Sequence, residues 1–192
     1  MNSYIRQFLA SDSCENVVRL FSDCHNAAKE VTESWAMLAA ARKTVPDVDD
    51  AKVIVVGDGA LPRTGVLFAY YTKADVVSID PIFNLTKWEI HVDRQTKMGL
   101  PPKRIELIKA KVEDIQPIDC ANKTAVVVWP HSHACMDDLK IMNAKDRWDI
   151  CLPCCVPIPT RWDSIIHYTF RDKRVLSPKN VVHIWHNFPE DI

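Results

Sequence analysis

The sequence predicts an α/β fold in which helices flank a doubly wound, mostly parallel sheet. Three observations lead to this prediction: short continuous runs of β-branched residues, helical patterns between those runs, and a cluster of glycines after the first run. Continuous apolar runs are typical of strands that are buried on both faces, as in parallel sheets. The intervening helices would provide the crossovers that parallel strands need.

The overall composition fits one domain with a sizeable core. The chain has 192 residues, of which 47% are hydrophobic and 26% are charged. We expect a single domain over 1–192, with N-terminal helices over 1–45 and a Rossmann-like core over 51–192. A formal net charge of −1 excludes an overall basic field that would attract nucleic acid. The N-terminal pattern is not that of a signal peptide, and no apolar run is long enough to cross a bilayer, so we expect a cytoplasmic protein without a membrane partner.

The individual elements follow from periodicity. Apolar residues at helical spacing over 15–43 predict one or two amphipathic helices, which the segment TVPDVDDAK ends. The predicted strands of the core are 53–56, 75–79, 105–108, 124–129 and 148–152. The predicted helices between them are 64–71, 85–96 and 136–144. The segments DSIIHYTF and NVVHIWHNF are joined by a loop too short for a crossover helix, which predicts an antiparallel hairpin at one edge.

The loop after the first predicted strand has the composition of a ligand-binding turn. Three of the four glycines lie there, at Gly57, Gly59 and Gly65. Glycine has no Cβ to block a ligand, and the helix that begins near Thr64, with Pro62 in its first turn, would direct free N–H groups at this loop. Asp80 ends the second strand, about 20 residues beyond the loop, where an acid usually binds a ribose 2′-hydroxyl. The sequence therefore predicts a ligand with a ribose; the alternative is a tight turn that binds nothing.

The order strand, GDGALPRTG, helix, strand, SIDP resembles motifs I and II of class I S-adenosylmethionine-dependent methyltransferases. Segment 59–65 is most similar to the G-x-x-P-G-G loop of the FtsJ-like and poxvirus cap-type ribose methyltransferases. The resemblance implies S-adenosylmethionine as a small-molecule cofactor. The chain departs from that family at Arg63, where glycine is expected, and the lysine–aspartate–lysine–glutamate tetrad of the ribose methyltransferases is not evident.

The resemblance also implies where the cofactor binds. The glycine turn would face its methionine portion, Asp80 would hold its ribose, and Glu113 or Asp114 would contact the adenine amino group. The positions assigned to cofactor binding are Gly57, Asp58, Gly59, Pro62, Arg63, Thr64, Gly65, Asp80, Pro81, Glu113, Asp114 and Trp129.

Histidines and cysteines follow the fourth and fifth predicted strands, at His131, His133, Cys135, Cys151, Cys154 and Cys155. The carboxyl ends of neighbouring parallel strands open onto one crevice, so we expect these side chains to meet beside the glycine loop. One interpretation is a zinc site, and another is catalysis, with His131 or His133 as general base or Cys154 as nucleophile. The third is that the cysteines are small buried hydrophobic residues. We take His131 and His133 as the catalytic candidates and predict no metal.

The sequence thus predicts an S-adenosylmethionine-dependent methyltransferase whose acceptor it does not identify, with RNA as one candidate. Lyase or hydrolase chemistry on the cofactor or another nucleotide is an alternative, because Arg63 and the histidines and cysteines are atypical of plain methyl transfer. A second alternative is a degenerate methyltransferase fold that binds a partner protein through its N-terminal helices.

Overall fold

The computed structural model describes residues 1–100, 105–154 and 168–187. Its helices are α1 Ser3–Leu9, α2 Cys14–Ser22, α3 Ala27–Thr44, α4 Arg63–Tyr71 and α5 Leu85–Lys97. Its strands are β1 Lys52–Val56, β2 Asp75–Ile79, β3 Glu106–Ile108, β4 Ile118–Asp119, β5 Ala125–Pro130, β6 Ile141–Met142, β7 Arg147–Leu152, β8 Tyr168–Arg171 and β9 Val181–Asn187. No helix in these ranges is both long enough and apolar enough to cross a membrane.

Seven strands form the main sheet, in the order β3-β2-β1-β5-β7-β9-β8. The first five of these are parallel, whereas β9 runs antiparallel to both β7 and β8. This confirms the predicted doubly wound sheet with an antiparallel hairpin at one edge. The chain proceeds from β1 to one side of the sheet and then returns to β5 on the other. The loops that follow β1 and β5 therefore lie side by side at the topological switch point, where such sheets bind ligands.

Helix α3 is the central element of the N-terminal layer. It packs against α1, α2 and α4 and also lies on β5 and β7. Its residues from Val31 to Leu38 are all buried, because the helix is covered by neighbours on nearly every side. Asn26 caps its first turn by accepting the backbone N–H of Lys29 at 3.2 Å. This layer brings side chains of α3 to the carboxyl edge of the sheet.

The first helix is fastened to the connection between β8 and β9. Asp172, which is buried in that connection, accepts a hydrogen bond from the hydroxyl of Tyr4 and pairs with Arg174 at 2.8 Å. Asn2 donates to the carbonyl of Arg174 at 2.6 Å. The start of the described chain and its last hairpin are thereby joined.

Two expectations about local structure need correction. The helix predicted over 136–144 is wrong: the segment forms a short 3-10 turn, Met136–Asp138, followed by β6, which pairs with β4. The left-handed backbone of Asn143, with φ of 52°, then ends the segment in a turn. Helix α1 lies outside the predicted periodic stretch. The predicted strand at 163–170 is described only from Tyr168, and its earlier residues lie outside the described ranges.

Candidate functional site

The three glycines that follow β1, two of them in the loop and Gly65 in the first turn of α4, have three different surroundings. A Cβ on Gly57, whose φ is +80°, would lie 2.6 Å from the Oγ of Ser132 and 2.9 Å from its Cα. A Cβ on Gly65 would lie 2.8 Å from the Cδ1 of Ile105. Only Gly59, also at φ of +80°, has no atom within 4 Å of such a Cβ. Gly57 and Gly65 therefore serve close packing within the protein, and Gly59 leaves open space for a ligand.

Asp58 orders the loop from inside. Its buried carboxylate accepts the backbone N–H groups of Thr64 and Gly65 and the hydroxyl of Ser78, each at 2.8 Å. Burial raises the pKa of Asp58, and these three hydrogen bonds act in the opposite direction. The first N–H groups of α4, which follow Pro62 at the N-cap, are thus bound by the protein itself. Asp58 joins β1, β2 and α4 at one point.

Asp80 lies beside Gly59 at the end of β2. Its side chain is nearly buried, with 6% of the residue exposed. One carboxylate oxygen accepts the backbone N–H of Gly59 at 2.7 Å, and the other accepts that of Ile82 at 2.8 Å. A carboxylate oxygen has two lone pairs, so each oxygen keeps a second acceptor position. Pro81 follows on the exposed surface. The structure therefore brings the predicted acid and the open glycine together.

Arg63 turns toward the N-terminal helices. Its Nε donates to the carbonyl of Leu20 at 2.8 Å, and its guanidinium lies 4.0 Å from the carboxylate of Glu30. The charge that distinguishes this loop from the glycine-rich family pattern therefore has partners in α2 and α3. It ties the glycine loop to the helix layer.

A cluster of ionisable groups lies across from the glycine loop. Helix α3 contributes Lys29 and Glu33, and the loop after β5 contributes His131. The Oε1 of Glu33 is 2.7 Å from the Nε2 of His131 and 3.1 Å from the Nζ of Lys29. Burial of Glu33, whose side chain is only 5% exposed, would raise its pKa, but the contacts with His131 and Lys29 dominate and lower it. Glu33 is therefore a buried carboxylate that holds a histidine on one side and a lysine on the other.

His131 is strained and incompletely bonded. Its φ is 55°, in the left-handed region that costs a residue with a Cβ about 1–2 kcal/mol. Its backbone N–H donates to the carbonyl of Leu152 at 3.0 Å, which fixes this conformation. Its Nδ1 is buried and has no hydrogen-bond partner among the described residues, and its Nε2 meets Glu33 at ion-pair distance without hydrogen-bond alignment. Strain of this kind is typical of functional positions.

These two sides enclose a cleft of about 250 Å³ between α3, the glycine loop and the loop after β5. Its lining includes Lys29, Glu33, Gly57, Gly59, Thr64 and His131. The predicted general-base candidate and the predicted cofactor loop therefore share one cleft.

Other predicted positions lie away from this cleft. Trp129 is 1% exposed in the core, where its indole N–H donates to Asp149 at 2.9 Å. Arg147 holds the same Asp149 through two contacts of 2.7 and 2.9 Å. Trp129 is thus part of a buried polar network, and its ring is not available to line the cleft.

Exposed positions account for three more of the predicted residues. Glu113 and Asp114 lie in an exposed 3-10 turn after β3, where Lys111 is 3.6 Å from Glu113. His133 is also exposed and does not line the cleft that contains His131. The two histidines of the sequence HSH therefore differ in their surroundings.

The cysteines do not gather at one point. Cys151 is buried within β7, where burial strongly raises the pKa of its thiol, and Cys135 is exposed. Cys154 is half-buried, and Cys155 lies outside the described ranges. Among the described residues, no three His, Cys, Asp or Glu side chains are close enough to hold a metal ion. The absence of a metal stays a prediction.

The comparisons with known proteins concern the fold. No family model and no curated protein matches the chain. A provisionally named RNA methyltransferase from Pyrococcus horikoshii is 11% identical, with a TM-score of 0.51 over 93% of this chain and 98% of its own. The magnesium protoporphyrin IX methyltransferase of Synechocystis with bound SAH is 11% identical, with a TM-score of 0.53 over 97% of this chain and 98% of its own.

A third similar structure is a mutant of MtNAS in complex with S-adenosylmethionine. It is 12% identical, with a TM-score of 0.53, and the match covers 97% of this chain and 71% of that one. These likenesses confirm that the chain has a class I methyltransferase-like fold.

Proposed function

We propose that this protein binds S-adenosylmethionine and transfers its methyl group to an acceptor. The observation that carries the proposal is the placement of open Gly59 beside Asp80, at the edge of a cleft that also contains His131. The fold supports it, since two of the similar structures were determined with SAH or S-adenosylmethionine bound.

The residues present fit this cofactor. The free acceptor positions of Asp80 suit the two hydroxyls of a ribose, and the lack of a side chain at Gly59 lets the backbone approach the ligand. Glu113 and Asp114 are exposed after β3, where an acid would accept the adenine amino group. Asp58 acts indirectly, by holding the loop in place.

His131 is the general base in this proposal. When bound, S-adenosylmethionine would supply an electrophilic methyl group for the acceptor and would be left as S-adenosylhomocysteine. His131, which lines the same cleft, takes the proton from the acceptor's N–H or O–H group. The carboxylate of Glu33, which lies 2.7 Å from the Nε2 of His131, stabilises the charge that the imidazole gains. General bases of this kind contribute about 10²–10⁴ in rate.

We propose RNA as the acceptor class. The glycine loop is most similar to that of RNA ribose methyltransferases, and one protein of similar structure bears the name of an RNA methyltransferase. Another is named for a porphyrin substrate, so the assay has to include small molecules. Mass spectrometry of total RNA after incubation with the protein and S-adenosylmethionine should reveal a methylated nucleoside. A cleaved cofactor without a methylated product would favour lyase or hydrolase chemistry instead.

Calorimetry with S-adenosylmethionine and S-adenosylhomocysteine tests the cofactor directly. We expect binding by the unmodified protein and at least a tenfold loss in Asp80→Ala, because the ribose hydroxyls lose their acceptors. Glu106→Gln removes an exposed acid from neighbouring β3 and is the matched control, with unchanged affinity expected. Absence of binding in the unmodified protein would refute the proposed function.

A further inference from the structure

The fully buried side chains of helix α5 are polar. The residues it buries are His91 and Gln95, which are one turn apart on the same face. Gln95 is satisfied, because its amide oxygen lies 3.3 Å from the hydroxyl of Tyr70 and its nitrogen donates to the carbonyl of Asn16. The Nε2 of His91 is buried and has no hydrogen-bond partner among the described residues. A buried polar atom without a partner is uncommon in native proteins and calls for an explanation.

The ring of His91 lies under a cationic cleft. The residue is 9% exposed and stacks on Trp88 with a centroid separation of 5.6 Å. Burial, together with the nearby charges of Arg19 and Arg94, lowers its pKa. His91 is therefore neutral at physiological pH, and the positive charge of the cleft comes from other side chains.

Three cations from two helices line this cleft, which has a volume of about 300 Å³. Arg19 belongs to α2, whereas Lys87 and Arg94 belong to α5, and all three are exposed. None of them makes an ion pair with another described residue, although the carboxylate of Asp23 also lines the cleft. Two guanidinium groups and an ammonium group on one opening supply the positive charge and the N–H donors that bind a phosphate group.

The cationic cleft adjoins the proposed cofactor loop. Leu61, which lies between Gly59 and α4, is part of its lining. So is Leu20, whose carbonyl accepts the hydrogen bond from Arg63. A phosphate held there would belong to a molecule that reaches the carboxyl edge of the sheet, where the proposed methyl transfer takes place.

We propose that Arg19, Lys87 and Arg94, above the unpartnered Nε2 of His91, form a binding site for a backbone phosphate of the nucleic-acid acceptor. The proposal rests on the proposed function for the identity of the acceptor, but it concerns binding only. An open cleft with cations on its rim suits a strand that continues past the site. A free phosphate ion shares the same chemistry, and the experiment separates the two sources.

Fluorescence anisotropy with a labelled single-stranded RNA decamer, measured over a series of salt concentrations, tests this site. Arg19→Gln with Arg94→Gln should weaken binding at least tenfold. It should also reduce the slope of log affinity against log salt by about 0.7, because one phosphate of a single strand is no longer neutralised. The matched control is Lys140→Gln with Lys145→Gln, which removes two exposed lysines from the segment before β7 and should change the affinity less than twofold.

The outcomes distinguish this site from the proposed function. RNA affinity within twofold of the unmodified protein in the Arg19 and Arg94 variant overturns the proposal, even if inorganic phosphate titrated into the protein perturbs the NMR signals of His91. Calorimetry of the same variant with S-adenosylmethionine should give unchanged affinity, since both arginines are exposed and outside the cofactor cleft. If S-adenosylmethionine fails to bind while the RNA measurements follow expectation, the methyltransferase proposal fails and the phosphate site stands.

Discussion

The two sides of the cofactor cleft differ in how their polar groups are satisfied. On the side of β1 and β2, the carboxylates of Asp58 and Asp80 bind backbone N–H groups and order the loop. On the side of β5, His131 combines a left-handed backbone with an unpartnered ring nitrogen, beside the buried carboxylate of Glu33. The first side is therefore a hydrogen-bonded frame, whereas the second holds a strained histidine, and these are the two parts that the proposed function uses.

The largest effect on stability should come from substituting Asp58, whose carboxylate orders the glycine loop. Asp58→Ala leaves two backbone N–H groups and a buried hydroxyl without an acceptor, and each such loss costs about 1–3 kcal/mol. We expect the free energy of unfolding, measured with urea, to fall by about 4 kcal/mol. Glu89→Ala, at an exposed position of α5, should change it by less than about 0.5 kcal/mol. A loss below about 1 kcal/mol in Asp58→Ala would contradict the interpretation of this side as a hydrogen-bonded frame.

Alanine substitutions of the glycines should distinguish positions that matter for packing, and so for stability, from the position that matters for ligand binding. Gly57→Ala combines an unfavourable positive φ with a clash against Ser132, so we expect a loss of about 3 kcal/mol in unfolding free energy. Gly59→Ala should cost only about 1–2 kcal/mol, and so should Gly99→Ala, which has a φ of +72° and open space around it. Of the last two, only Gly59→Ala should weaken S-adenosylmethionine binding in calorimetry. Equal effects of Gly57→Ala and Gly99→Ala on stability would show that the contact with Ser132 is unimportant.

Substitution of His131 should separate activity from stability. His131→Gly and His131→Ala should both reduce methyl transfer at least about 100-fold, equivalent to about 2.7 kcal/mol, and leave S-adenosylmethionine affinity within about threefold. Glycine adopts a positive φ without penalty, so His131→Gly should be about 1 kcal/mol more stable than His131→Ala in urea unfolding. Full activity in either variant would exclude His131 as the base.

The smallest effect should be a change in pH dependence. The pKa of Glu33 is lowered in the folded protein, so its charged form contributes stability above its unfolded pKa of about 4.3, and this contribution disappears as the pH falls through the folded value. Glu33→Gln should therefore be less stable than the unmodified protein at pH 7, and this deficit should shrink progressively below about pH 4. Urea unfolding at several pH values measures this difference, with Glu106→Gln as the exposed control. A deficit that is independent of pH would show that Glu33 acts through packing alone.

The sequence was informative wherever local pattern and tertiary structure agree. The runs at 53–56, 75–79 and 124–129 became β1, β2 and β5 because buried parallel strands need uninterrupted apolar residues. The spacing between the glycine loop and Asp80 likewise predicted an acid at the end of β2 for the site beside that loop, and Asp80 lies there, next to Gly59. These features depend on short stretches of chain whose arrangement the fold class already determines.

The sequence was uninformative where function depends on burial that only the tertiary structure creates. Glu33 lies within the helical pattern of α3, and an acid in an amphipathic helix is normally interpreted as part of the solvated face. Because α3 is covered on nearly all sides, this acid is instead buried next to His131. The prediction for 136–144 failed for a different reason. The spacing of its apolar residues is that of a helix, but part of the segment forms β6 and pairs with β4 instead.

The fastening of Tyr4 and Asn2 to the connection between β8 and β9 bears on synthesis at the ribosome. The helix layer receives this anchor only after β8, β9 and their connection have been made. A nascent chain that contains the glycine loop and α3 but not yet β8 and β9 therefore lacks the contacts that anchor the helix layer to which Glu33 belongs. We expect ligand-binding competence to arise only after β8 and β9 have been synthesised and have docked.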